Sequence, residues 1–182
     1  MRWLWYFIIY SFFGFLLEVA FARATGHPKR DRKCFVLLPL CPVYGLGACL
    51  ILALAGAVEN PILAALAGGL AATGAELVMG LFYRCALGVD FWDYRHLPGS
   101  VGGLVCPAFS LCWTALALLL VYVVHPPVSA LAGLIPDALA PAAAILLGAD
   151  ALVSCAALKR EGTTEVLKWY TAESRPPAKP EA

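Results

Sequence analysis

Glu18, Glu76 and Asp150 are acids set inside long apolar runs, and each requires a reason to be there. A charged side chain near the middle of a bilayer costs about 2.5 to 3.5 kcal/mol on insertion scales, so such acids are kept where they face protein or water, where they bind cations or relay protons. By helical rise, Glu18 lies roughly 6 Å and Glu76 roughly 9 Å from their helix ends on one shared side, and Asp150 lies about 12 Å in. Each glutamate also ends a stripe of small residues: Ser11 and Gly14 before Glu18, Gly68 and Ala72 before Glu76. Small stripes are where membrane helices pack closely, so both glutamates are expected to face the bundle interior. The plainer alternative is that each snorkels to the headgroups or pairs with an arginine of a nearby loop, and that Asp150 hydrogen-bonds to a neighbouring helix.

Other marks gather at the height of the two glutamates. In CFVLLPLCPVYGLG, Pro39 and Pro42 remove backbone donors while Gly45 and Gly47 permit close approach, so the chain around Tyr44 is expected to be irregular. Irregular backbone at membrane depth is tolerated only where protein or a water-filled cavity satisfies it. In GVDFWDYRHLPGSVGGLVCP, Trp92, Asp93 and Tyr94 are positioned to form a lid or ligand-binding edge, against the simpler reading of Trp and Tyr as interface anchors. Cys106, Ser110 and Trp113 share one helical face at the entry to the next apolar run.

The chemistry is bounded as much by what is missing. There is no HExxH, no nucleophile beside a base and no P-loop, since GSVGG lacks the Lys-Ser/Thr that would follow it. The seven cysteines show no paired metal-ligand spacing and read as small apolar residues. His27, His96 and His125 lie far apart and read as loop residues. The sequence therefore assigns no catalytic residue, no metal and no cofactor.

The elements that must hold these residues are membrane helices. Of the 182 residues, 62% are hydrophobic and 14% charged, with a mean hydropathy of +0.80. Soluble domains carry about 25% charged residues, and a crossing helix needs about 20 apolar ones. Apolar runs predict five helices, at about 3–22, 35–57, 61–82, 104–124 and 139–158, in one transmembrane domain over 1–158, followed by a partly disordered cytoplasmic tail over 159–182. The segment from His125 to Pro141 reads either as a loop in the interface or as the start of a kinked helix. A short amphipathic piece around Val166, Leu167, Trp169 and Tyr170 is expected on the membrane surface. All 13 basic residues except Arg2 fall in the loops after the first and third helices or in the tail, which by the positive-inside rule places the N-terminus outside and the C-terminus inside. The first apolar run is too long, and its basic cluster follows it, so it reads as a retained anchor and not as a signal peptide. No basic block is long enough to track a nucleic acid.

FFGFLLE at 12–18, LPLCPVYGLG at 38–47, Glu76 with Gly80, FWDY at 91–94, GGLVC at 102–106, Ser110 with Trp113, His125-Pro126 and Asp150 together resemble the ABC-transporter type IV permeases, a family of small bacterial membrane proteins. The resemblance spans about residues 10–155, in order. It implies a multi-pass protein of the bacterial cytoplasmic (inner) membrane with a role in transport. It departs from the family pattern at Arg32-Lys33-Cys34, where Asn-Arg-Gly is usual, at Leu38 for Gly, at Ser100 for Asn, and around Tyr83 and Arg84, where a further acid is common. If these positions touch a ligand, those departures imply a different ligand or none.

Three classes of function remain open on the sequence. The first is a permease-like transport component, with a cytoplasm-facing cavity lined by Glu18, Glu76, Tyr44, Trp92, Asp93 and Tyr94 and with Asp150 as a deeper relay. ATP-driven transport then needs a separate nucleotide-binding subunit. The second is a membrane-embedded enzyme acting on a lipid-linked substrate, with the two glutamates dividing acid and base roles. The third is a non-catalytic scaffold or sensor whose acids fix helix register. Small-residue faces also suit a homo-oligomer.

Overall fold

The computed structural model describes residues 1–25 and 34–168. Their regular structure is helical. Helix α1 spans Arg2–Ala24, α2 spans Pro42–Ala55, and α3 spans Pro61–Phe82 and continues through a wide π turn at Tyr83–Leu87. Helix α4 (Pro107–Leu119) passes through a second π segment, Leu120–Val124, into α5 (His125–Gly133). A 3₁₀ turn at Asp137–Leu139 leads into α6 (Ala140–Glu161), and another lies at Thr164–Lys168. Four of these rods are long and apolar enough to cross a membrane: Arg2–Ala24, Pro61–Leu87, Pro107–Gly133 and Asp137–Glu161. This is a membrane protein with a helical bundle.

Proline decides where three of the helices begin. Pro42, Pro61 and Pro107 each occupy a first helical position, where the missing N–H costs nothing. A residue before proline is pushed out of the helical region, and Cys41 (φ −121°, ψ 93°) and Cys106 (φ −150°, ψ 157°) are accordingly extended. Asn60 adds a side-chain cap, its Oδ1 accepting from the amides of Ile62 at 3.0 Å and Leu63 at 3.2 Å. The second helix thus starts at 42, not at 35, and the fourth at 107, not at 104.

The first of these differences is the larger in consequence. With 14 residues α2 rises about 21 Å, short of a 30 Å hydrocarbon core, and residues 34–41 lead into it as irregular chain. Their backbone is satisfied by neighbouring helices. Ser154 Oγ accepts from the Val36 amide at 2.8 Å, Asp150 accepts from the amides of Leu37 at 3.1 Å and Leu38 at 2.7 Å, and the Ser11 carbonyl accepts from Cys41 at 2.9 Å.

His125 to Gly133 is helix, continuous with α4, and not loop. Pro126 and Pro127 would each lack a donor and clash with a carbonyl one turn back, and the preceding π segment widens the helix where those carbonyls lie. The turn at Thr164–Lys168 also differs from the surface-helix expectation, because Leu167 is fully buried in the core. Trp169, Tyr170 and the Pro-rich end lie outside the described residues, as do His27 and the basic residues Lys29 to Lys33.

Packing is inverted relative to a soluble domain. Ala64, Ala72 and Ala75 of α3 are buried, while Leu70, Val78, Leu111, Ile145 and Leu152 face outward as a surface for lipid. Helix α3 sits at the centre, against α2 and α4, and α1 packs on the other side of α2. Helices α1 and α4 are not packed on one another.

Candidate functional site

At the end of the bundle that carries Arg23, Arg84, Arg95, Lys159 and Arg160, the helices enclose a cavity of about 420 Å³. Glu18 enters it from α1 and Glu76 from α3. Glu76 is 5% exposed and Glu18 is half-buried.

Helix packing aims the groups that meet these carboxylates. The Tyr44 ring, in the first turn of α2, lies against Gly14 so closely that any Cβ there would collide with it. That approach carries the Tyr44 hydroxyl one turn along α1, where it donates to Glu18 Oε1 at 2.8 Å. On the other side of the ring lies Trp113 of α4, with centroids 5.3 Å apart. Its indole N–H donates to Glu76 Oε2 at 3.1 Å, and the Tyr94 hydroxyl donates to Glu76 Oε1 at 2.9 Å. Glu18, Tyr44, Trp113, Glu76 and Tyr94 therefore form one connected series through four helices and the loop after α3.

That loop closes one wall. Burial alternates along Trp92–Tyr94: Trp92 and Tyr94 are buried and Asp93 is exposed. Trp92 donates its indole N–H to the Leu104 carbonyl at 2.8 Å, the Tyr94 amide donates to the Gly103 carbonyl at 2.9 Å, and the Tyr94 ring stacks on Phe109. Arg84 ties the loop to α3, donating to Asp90 at 2.8 Å and to the Gly102 carbonyl at 2.7 Å.

Two of the sequence candidates fall elsewhere. Asp93 points away from the cavity and is held by Arg95, whose guanidinium donates to both carboxylate oxygens at 2.7 to 2.9 Å. Those side-chain bonds, with the Arg95 amide, hold the Asp93 carboxyl down to about 2, and the same partner pushes the Arg95 guanidinium up. Asp150 is 2% exposed and lies outside the cavity, bonded to Leu37, Leu38 and Ser154. In that position it receives the backbone amides of the segment before α2. Of the backbone-shaping residues, Pro42 starts α2, Pro39 is exposed on the irregular segment, and Gly45 admits Ser11 and the Phe7 carbonyl of α1. Gly47 is in ordinary contact, its nearest neighbour 3.8 Å from where a Cβ would stand.

Several wall residues carried little signal in the sequence. Helical spacing puts Trp113 on one face with Cys106 and Ser110, but its bond to Glu76 depends on the register between α3 and α4. Phe21, Phe91 and Phe109 are indistinguishable in sequence from lipid-facing aromatics. Cys34 and Cys41 also line the cavity, with their sulfurs 3.5 Å apart, and all seven cysteines are free. His125 sits in helix with its Nδ1 3.0 Å from the Tyr10 hydroxyl, distant from Glu18 and Glu76. Among the described residues no cluster of His, Cys, Asp and Glu has the makings of a metal site.

The family described as "Putative ABC-transporter type IV" matches residues 5–156, which include every residue of the series above. The chain belongs to that family. No curated protein and no solved structure matches it.

Proposed function

We propose, from membership of the ABC-transporter type IV family, that the chain is a permease-like transport component of the bacterial cytoplasmic membrane. Its N-terminus lies outside and its C-terminus inside, so that the cavity faces the cytoplasm. Glu18 and Glu76 are its solute- or cation-binding groups, with Tyr44, Trp92 and Tyr94 shaping the wall. The observation that carries this reading is the convergence of two carboxylates, from α1 and α3, on one cavity within the 300 to 1,000 Å³ range of small-molecule sites. Basic residues at the same end of the bundle support the orientation. Energy from ATP would come through a separate nucleotide-binding subunit, because the chain has no phosphate-binding loop.

The test is uptake by proteoliposomes carrying the full chain, alone and with a nucleotide-binding subunit, across a panel of inorganic cations, alkylammonium ions and amino acids. The expected result is uptake of at least one solute that falls at least tenfold in Glu18→Gln and Glu76→Gln while both variants stay folded. Flux that is equal in wild type and both variants would overturn the reading.

A further inference from the structure

Among the described residues, the cavity wall beyond Glu18 and Glu76 is aromatic and aliphatic apart from the thiols of Cys34, Cys41 and Cys112. Hard cations such as Mg²⁺ and Ca²⁺ take six or more oxygen ligands, more than these described residues supply. Aromatic faces and carboxylates around one space suit instead a soft organic cation: a ring face attracts an alkylammonium within about 6 Å, most strongly when the site is desolvated. Tyr44 and Trp113, packed on one another, stand between the two glutamates and bond them through their polar edges, and Tyr94, its ring stacked on Phe109, stands beside Glu76.

A second recess, of about 280 Å³, adjoins the first across Leu17, Tyr44, Trp113 and Leu116, which line both. It runs along α1 to Tyr10 and along α4 and its π segment to Val124. From Leu17 to Tyr10 is about 10 Å by helical rise, the span of an alkyl chain of about eight carbons. It lies where α1 and α4 are not packed on one another, and its rim residues Phe13 and Leu119 face outward on the lipid side. Apart from the Tyr10 hydroxyl and the groups it shares with the cavity, its lining is carbon.

We infer that the two spaces form one site for an amphiphilic cation, with an alkylammonium head between Glu18, Glu76 and the aromatic faces and a single aliphatic tail in the recess between α1 and α4. The inference rests on reading the cavity as a binding site and adds the class of ligand and its route. Lipid chains are as apolar as the recess, so the tail gains little by leaving the bilayer. What the recess supplies is lateral entry: the head reaches the glutamates without the tail crossing water. A free alkylammonium amphiphile and an aminolipid with one chain share this chemistry.

The test is photo-crosslinking of the full chain in lipid nanodiscs with an octyltrimethylammonium probe bearing a diazirine at its tail tip, mapped by mass spectrometry. Labelling is expected within Tyr10–Leu17 and Leu116–Val124. It should fall at least fivefold under excess unlabelled octyltrimethylammonium and in the Glu18→Gln/Glu76→Gln double variant. Leu116→Trp, which fills the junction and leaves both carboxylates in place, should also lower it. Competition by lysophosphatidylethanolamine would support the site and identify a lipid source, and competition by octyltrimethylammonium alone would support it with a free amphiphile. Labelling spread over every lipid-facing helix, or matched by an uncharged probe of the same shape, would overturn the inference. Failure of uptake with this labelling intact would instead count against transport alone, and uptake of another solute without this labelling would count against the amphiphile alone.

Discussion

The Tyr44 hydroxyl reaches Glu18 because Gly14 leaves room for the ring, and Trp113 reaches Glu76 because α4 crosses α3 over its small residues. The acids themselves were legible in the sequence, since an ionisable group in an apolar run stands out whatever surrounds it. Their partners were legible in part. Tyr44 was marked by the prolines and glycines around it, but Phe21 and Phe109 had no mark at all. Asp93 lies outside the cavity wall while its neighbours Trp92 and Tyr94 line it, and nothing in the sequence says which side of Trp-Asp-Tyr is inward. The Asp93–Arg95 pair yields a prediction of its own. A carboxyl held down to about 2 supports the loop fully above its ordinary value near 3.9 and loses that support as pH falls through about 2. A carbon-13 titration of the Asp93 carboxyl should therefore show a midpoint near 2 that rises towards 3.9 in Arg95→Ala. A wild-type midpoint near 3.9 would refute the pairing. Between pH 5 and 8 this pair stays charged, so pH dependence of binding there must originate elsewhere.

At the scale of elements, the main departure from the sequence reading is the segment 34–41. Its hydropathy runs on into α2, so a sliding window cannot separate them, and only the preference of Pro42 for a first helical position marks the boundary. Asp150 is explained by the same segment. Three successive amides, of Val36, Leu37 and Leu38, are received by Ser154 and Asp150, two residues one turn apart on α6. Donors left unbonded inside a membrane protein cost about 1 to 3 kcal/mol each. Asp150→Ala should accordingly lower stability by about 3 kcal/mol, and Ser154→Ala by about 1 kcal/mol. Denaturation of the detergent-solubilised protein measures both changes, and hydrogen exchange should show faster loss of protection at Leu37 and Leu38 in the Asp150 variant. Unchanged stability and protection would show that the segment is held by something else. The helix through His125-Pro126-Pro127 was open in the sequence for a related reason: paired prolines signal a break, and whether a π turn absorbs it depends on the packing of Tyr6 and Tyr10 against His125.

For the whole molecule, small residues inside and large ones outside give a bundle whose surface suits lipid and which encloses a cavity of about 420 Å³ at the basic end. That the chain is a bundle of apolar helices followed from hydropathy, although four rods and not five are long enough to cross, and the gathering of Arg23, Arg84, Arg95, Lys159 and Arg160 at one end followed from their positions. The opening between α1 and α4 did not, because it is a relation between helices far apart in the chain. That both glutamates serve one binding site is the central claim. The measurement that tests it most directly is infrared difference spectroscopy of the reconstituted full chain on adding octyltrimethylammonium and a panel of inorganic cations and amino acids. Glu18→Gln and Glu76→Gln would assign the bands. The account predicts that at least one addition perturbs the carboxyl bands of both residues and that each band is missing from its own variant. Folded protein whose two carboxyl bands ignore every addition would contradict it, leaving Glu18 and Glu76 as groups that only hold the helices in register.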